Sequence, residues 1–401
     1  MQRLYNKNIS VLVVCQALFF MCNTIVISTA PLVGLQYAPD PALATVPLGA
    51  QFLGTMAATM PASLLMKRFG RRPGLAFGMI FGVLAGLLGW HAIEAGSFLL
   101  FCLSGVLYGT FSAFCQYLRF TAADAADASF TDDLAARRAR AIALVMAGGV
   151  VAAVLGPEIA KATRELFAPV MFSGSYLAVA LLSVASAAAI MVLALPQPSI
   201  AEQTAAGRPI GVIMRQPAAM VAVLAALVGY VTMNLLMVAT PLAMLACGHA
   251  FADSAFVIQW HVVGMFVPSF FTGRLIARFG VRPIILTGVA INVLCVGIAF
   301  SGLELAHFAA SLFLLGIGWN FLFLGGTTLL TSCHTPAEKA KVQGINDLLV
   351  FSSVAASASF SGLLHELVGW HVMNLLALPG LILVAALVIL HQRSRPATSP
   401  A

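Results

Sequence analysis

The feature that most constrains this chain is an apolar run of about 20 residues or more that returns twelve times along its 401 residues. At a rise of ~1.5 Å per residue, each run is long enough to cross a hydrocarbon core ~30 Å thick. The runs cover 9–35, 43–66, 73–93, 97–120, 140–160, 169–195, 217–245, 254–275, 283–302, 306–332, 341–364 and 370–391. Barrel strands would alternate apolar and polar positions over about ten residues, whereas these runs are longer and continuously apolar. A backbone in lipid must satisfy its own polar groups, which leaves helices. With 61% hydrophobic and 9% charged residues, the composition excludes a soluble globular chain. The expectation is an all-α polytopic membrane protein with 12 transmembrane helices.

Charge sets the orientation, because Lys and Arg near helix ends collect on the cytoplasmic side. With both termini cytoplasmic, 19 of the 21 Lys and Arg residues lie on that side, the exceptions being Lys161 and Arg164. The net charge of +7 therefore reports topology, and no basic soluble domain is present to bind nucleic acid. Only Arg3 and Lys7 precede the first run, which exceeds a signal-peptide core and reads as an uncleaved anchor. The seven cysteines show neither close pairing nor metal-ligand spacing, so they read as small packing residues.

A shift of 210 positions superposes the two halves without a gap. Arg68, Phe69, Gly70, Arg72 and Pro73 fall on Arg278, Phe279, Gly280, Arg282 and Pro283; Pro31, Gly54 and Gly78 fall on Pro241, Gly264 and Gly288. Repeated halves are characteristic of secondary transporters, whose solute site lies near the membrane midplane between them. The one extended polar interruption, 196–216, reads as a cytoplasmic linker between six-helix bundles at 1–195 and 217–401.

The residues after the second run, Ser63 to Arg72, resemble the loop signature Gly-x-x-x-Asp-Arg-x-Gly-Arg-Arg of the major facilitator superfamily. The basic half matches, while Ser63 replaces the glycine and Lys67 the aspartate. The second copy keeps Gly273, Arg278, Gly280 and Arg282 and carries Ala277 at the acidic position. Helix 5 also carries Gly148, Gly149 and Gly156-Pro157, a fragment similar to the glycine-rich pattern of drug-proton antiporters. The resemblance implies a monomeric inner-membrane carrier working by alternating access, with proton coupling and a small organic solute. Uptake, efflux and uniport all stay open.

The resemblance also implies that helices 1, 4, 7 and 10 line the solute path. They offer Gln16 and Asn23, Tyr108, Gln116 and Arg119, Tyr230 and Asn234, and Trp319 and Asn320. Gln16 and Asn23, seven apart, share a helix face, as do Tyr230 and Asn234 at a spacing of four. For each amide an interhelical hydrogen bond is the alternative role. Arg119 could instead snorkel to water. Amides and aromatics with one clear charge suit a neutral or singly anionic solute, such as a planar heteroaromatic vitamin, with a hydrophobic drug-like compound as the rival.

Candidates for coupling or gating are Lys67, Arg68, Arg72, Glu158, His261 and Asp347, because charge inside a bilayer is costly enough to need a reason. With Lys67 in the aspartate position, a reversed latch is one expectation: Asp347 accepts from Lys67 or Arg68 when the cytoplasmic side is closed. Solvation of Lys67, with Asp347 held by Asn346, is the other. No nucleophile motif, paired catalytic carboxylates, His-x-x-x-His pair or nucleotide loop points to an enzyme, a cofactor or a metal. A membrane sensor that kept a carrier fold is the remaining alternative class.

Overall fold

The computed structural model describes residues 7–40, 43–197 and 207–393. Arg3 of the orientation argument and Pro198, Glu202, Gln203 and Thr204 of the expected linker lie outside the described residues. The helices are α1 (Lys7–Tyr37), α2 (Val46–Phe69), α3 (Arg71–Glu94), α4 (Phe98–Cys115), α5 (Leu118–Asp127), α6 (Leu134–Thr163) and α7 (Ser173–Met191). After the short α8 (Ile210–Met214) come α9 (Pro217–Ala246), α10 (Phe251–Phe266), α11 (Ser269–Phe279), α12 (Val281–Ser301), α13 (Leu305–Leu330), α14 (Lys339–Leu375) and α15 (Leu378–Arg393).

Ten stretches among the described residues are long and apolar enough to cross a membrane, with α4 and α5 counting as one. The second and eleventh expected spans are also helical, but Gln51, Thr55, Thr59 and Ser63 in α2 and Asn346 and Asp347 in α14 make them more polar. Leu53, Leu99, Leu181, Leu245 and Ile382 stand exposed, as lipid-facing side chains would. The eighth run divides between Phe266 and Ser269, where Pro268 supplies no backbone N–H. The eleventh extends past its expected end to Leu375, with non-helical backbone at Gly369.

Two compact units emerge: 1–206 with 336–355, and 207–335 with 356–401. The first half of α14 therefore groups with the N-terminal helices, which differs from the expected division at 196–216. Close packing explains it. Ser63 Oγ donates to Ala340 O at 2.6 Å, and a Cβ on Gly344 would stand 2.9 Å from Met60 Sδ.

Within the first unit, α2 and α4 meet backbone to backbone. A Cβ on Gly54 would lie 2.3 Å from Val106 O, and one on Gly109 would lie 2.0 Å from Gln51 O. Thr55 Oγ1 closes the seam on Gly109 O at 3.1 Å. Gly109→Val is therefore expected to reduce folded protein sharply, since overpacking costs roughly 1–3 kcal/mol even where side chains can shift, and here backbone blocks the way. Gly49→Ala, with nothing within 4 Å of its Cβ, serves as the tolerated control. Equal yields of monodisperse protein from the two variants would contradict the seam.

In the second unit α13, buried throughout its second half, runs against α9, α10 and α12. The sequence repeat reappears as geometry. Gly70 (φ 90°, ψ 168°) and Gly280 (φ 85°, ψ 162°) end α2 and α11 in the same conformation, one essentially restricted to glycine. Five cysteines are buried in the packing, Cys102 is half-buried, and Cys247 at the end of α9 is exposed instead.

Candidate functional site

In the first unit, polar side chains from three helices meet at one level. Gln51 Nε2 on α2 donates to Asn23 Oδ1 on α1 at 3.5 Å, and the Gly109–Gln51 contact brings α4 and Tyr108 to that height. Tyr108 packs edge-on against Phe111 at 5.6 Å, and Phe111 against Phe19 at 5.7 Å, four residues before Asn23 on the same face of α1. Gln51 Oε1, Tyr108 Oη and, two turns along α1, Gln16 Oε1 are all buried with no protein partner. A buried polar group left unmade costs about 1–3 kcal/mol, so each of the three is able to take a further hydrogen-bond partner. Gln51 was not among the residues expected from the sequence, because it lies on α2 and not on a helix expected to line the path.

Nearer the end of α4 the expected path residues take another role. Arg119 Nη2 donates to Asp347 Oδ1, and Asn346 Nδ2 supports the same oxygen at 2.8 Å. Arg119 Nη1 also bonds Gln116 through its main-chain O at 2.9 Å and its side-chain Oε1 at 3.1 Å. Both charged side chains are buried, so Arg119 does not snorkel. In this structure Asp347 accepts from Arg119 and Asn346, where the reversed latch would have it accept from Lys67 or Arg68. The reason is depth. Met60 already stands level with Gly344, and Lys67 lies seven residues farther along α2, roughly 10 Å from that level.

At the loop after α2, the working arginine is Arg71, which had not been singled out. Its Nε donates to Asp124 at 2.7 Å and its Nη2 to Gln343 at 2.6 Å, while Lys339 reaches Asp124 at 3.2 Å. Arg68 and Arg72 are exposed, and Lys67 joins Arg71, Asp124 and Lys339 in lining an open cleft. Helical spacing could have separated the one inward arginine from its outward neighbours. Glu158 is an exposed partner of Lys161 at 2.8 Å, an ion pair of the protein surface.

The second unit holds an aromatic cluster. Trp319 stacks on Phe323 at 5.1 Å and meets Tyr230 and Phe266 edge-on at 5.5 and 6.0 Å; its Nε1–H has no protein partner. Asn234 Nδ2 donates to Ser357 Oγ at 2.9 Å. Asn320 gives Nδ2 to Met265 O and Ser269 Oγ and accepts from Thr272 Oγ1, bolting the α10–α11 break to α13. Its amide thus makes three packing hydrogen bonds within the second unit. His261, the repeat counterpart of Gln51, is buried with Nδ1 2.7 Å from Leu312 O and Nε2 without a protein partner.

Two helical units with helices of membrane-spanning length, each holding buried polar groups, fit a polytopic carrier. A model described as Major Facilitator Superfamily matches residues 12–259 and 222–401, and the chain belongs to that superfamily. It is 40% identical over 98% of both chains to the riboflavin transporter RfnT of Brucella anthropi. It is also 25% identical to the uncharacterized MFS-type transporter YddS of Bacillus subtilis, over 90% of this chain and 85% of that protein. Among solved structures, the human organic anion transporter MFSD10 has a TM-score of 0.77 at 13% identity, covering 95% of this chain and 99% of that one. The transporter FucP in its outward conformation has a TM-score of 0.76 at 16% identity, covering 98% and 100%. At these identities the two structures speak to the fold alone.

Proposed function

We propose that this protein carries riboflavin, or a closely similar flat heteroaromatic vitamin, across the inner membrane by alternating access, coupled to protons and with both termini cytoplasmic. The observation that carries the reading is the 40% identity to a riboflavin transporter, spread over 98% of both chains. The local chemistry supports it. Buried amides and a phenol stand beside aromatic rings in the first unit, and Tyr230 and Trp319 head an aromatic cluster in the second. Rings of this kind favour a planar guest, and a few placed polar groups orient it. Asp347, buried in the span, is the acidic group on which proton coupling is proposed.

The purified protein in proteoliposomes is expected to move riboflavin saturably, faster when the outside is acidic. The vitamin's own fluorescence, read after external flavin is removed, gives the rate. Riboflavin neither bound nor moved would sink the reading, whereas movement indifferent to an imposed proton gradient would remove only the coupling.

A further inference from the structure

We propose that Gln51 and Asn23 read the pyrimidinedione edge of the flavin ring, the imide whose N–H lies between two carbonyls, and that this pair sets solute specificity. The inference rests on the riboflavin reading above and deepens it. Gln51 is 3% exposed, and the backbone seam to α4 fixes its main chain in place. One bond, Nε2 to Asn23 Oδ1 at 3.5 Å, joins the two amides. That bond uses a donor of Gln51 and an acceptor of Asn23. It leaves Gln51 Oε1 as an acceptor without a protein partner, and it does not use the Nδ2 donors of Asn23. An acceptor on one of two neighbouring side chains and donors on the other match in kind an imide N–H and its carbonyl.

The surroundings suit the same guest. Asn23 is half-buried, so the pair is open on one side. The Phe19, Phe111 and Tyr108 rings form an aromatic wall along α1 and α4 at this height, and the unpartnered Tyr108 hydroxyl can donate to a flavin carbonyl. A sugar-like chain of hydroxyls would satisfy the amides but not use the wall, and a hydrophobic amine would leave the Gln51 oxygen unmade. A site built to bond an N–H rejects an analogue that lacks it, because its own buried group is then stranded.

The test compares riboflavin with 3-methylriboflavin, in which a methyl group replaces the imide hydrogen. Binding to purified wild type, Gln51→Ala and Asn23→Ala is followed by flavin fluorescence, with size exclusion checking the fold of each. Wild type is expected to prefer riboflavin about 10-fold or more. In each alanine variant the ratio should fall toward one through lost riboflavin affinity, with the methylated compound little changed. Asn23, being half-buried, keeps the test available if Gln51→Ala does not fold. Tight riboflavin binding with a wild-type ratio near one, or a preference that survives both substitutions, overturns the proposal alone. Failure of wild type to bind either compound overturns the riboflavin reading and this proposal with it.

Discussion

Replacing Asp347 by alanine is expected to cost the first unit about 3–5 kcal/mol, because it deprives a buried guanidinium of its carboxylate. Arg119 and Asp347 are both buried, and Asn346 and Gln116 complete the pair. Arg119→Ala should be as damaging from the other side. The combined change Arg119→Met with Asp347→Leu should recover most of the loss, since an apolar pair of similar volume needs no compensation. Thermal midpoints of the two single variants and the double variant in detergent give the coupling. Effects that simply add would mean that the two charges do not depend on each other.

Trp319→Ala is expected to cost the second unit about 3–5 kcal/mol, the usual loss for truncating a large buried aromatic side chain. Trp319 is 2% exposed, stacked on Phe323 and flanked by Tyr230 and Phe266. Trp319→Phe should keep most of the stability, because it preserves a ring against Phe323. Folded yield and midpoint measured beside riboflavin affinity separate packing from contact with solute. A variant Trp319→Ala that stays fully folded but no longer binds riboflavin would place the indole in contact with the solute.

The helical spans were legible because lipid demands long apolar runs, and the repeat because glycine has no substitute where φ is near 90°, as at Gly70 and Gly280. The polar residues could be named but not paired. Arg119 and Asp347 lie 228 positions apart, and no local spacing links them. Asn320 carried the same signal as Asn23, yet its amide is used up on Met265, Ser269 and Thr272, a fate set by the break at Pro268 in another helix. Gln51 was invisible for a related reason. Which face of α2 turns inward is decided by its backbone contact with α4, and the one mark of that face along α2 is Gly54, three residues after Gln51, which by itself names no partner.

The glycine seam between α2 and α4 also has a mechanical meaning. With main-chain atoms in direct contact, no side-chain layer is available to shear, and the two helices behave as one stiff plank. Gln51 rides on one edge of that plank and Tyr108 on the other, so their spacing is a constant of the protein and not a variable of its working cycle. Whatever grips and releases the solute in turn must then come from elements that move toward or away from this ruler, while the ruler itself keeps its scale.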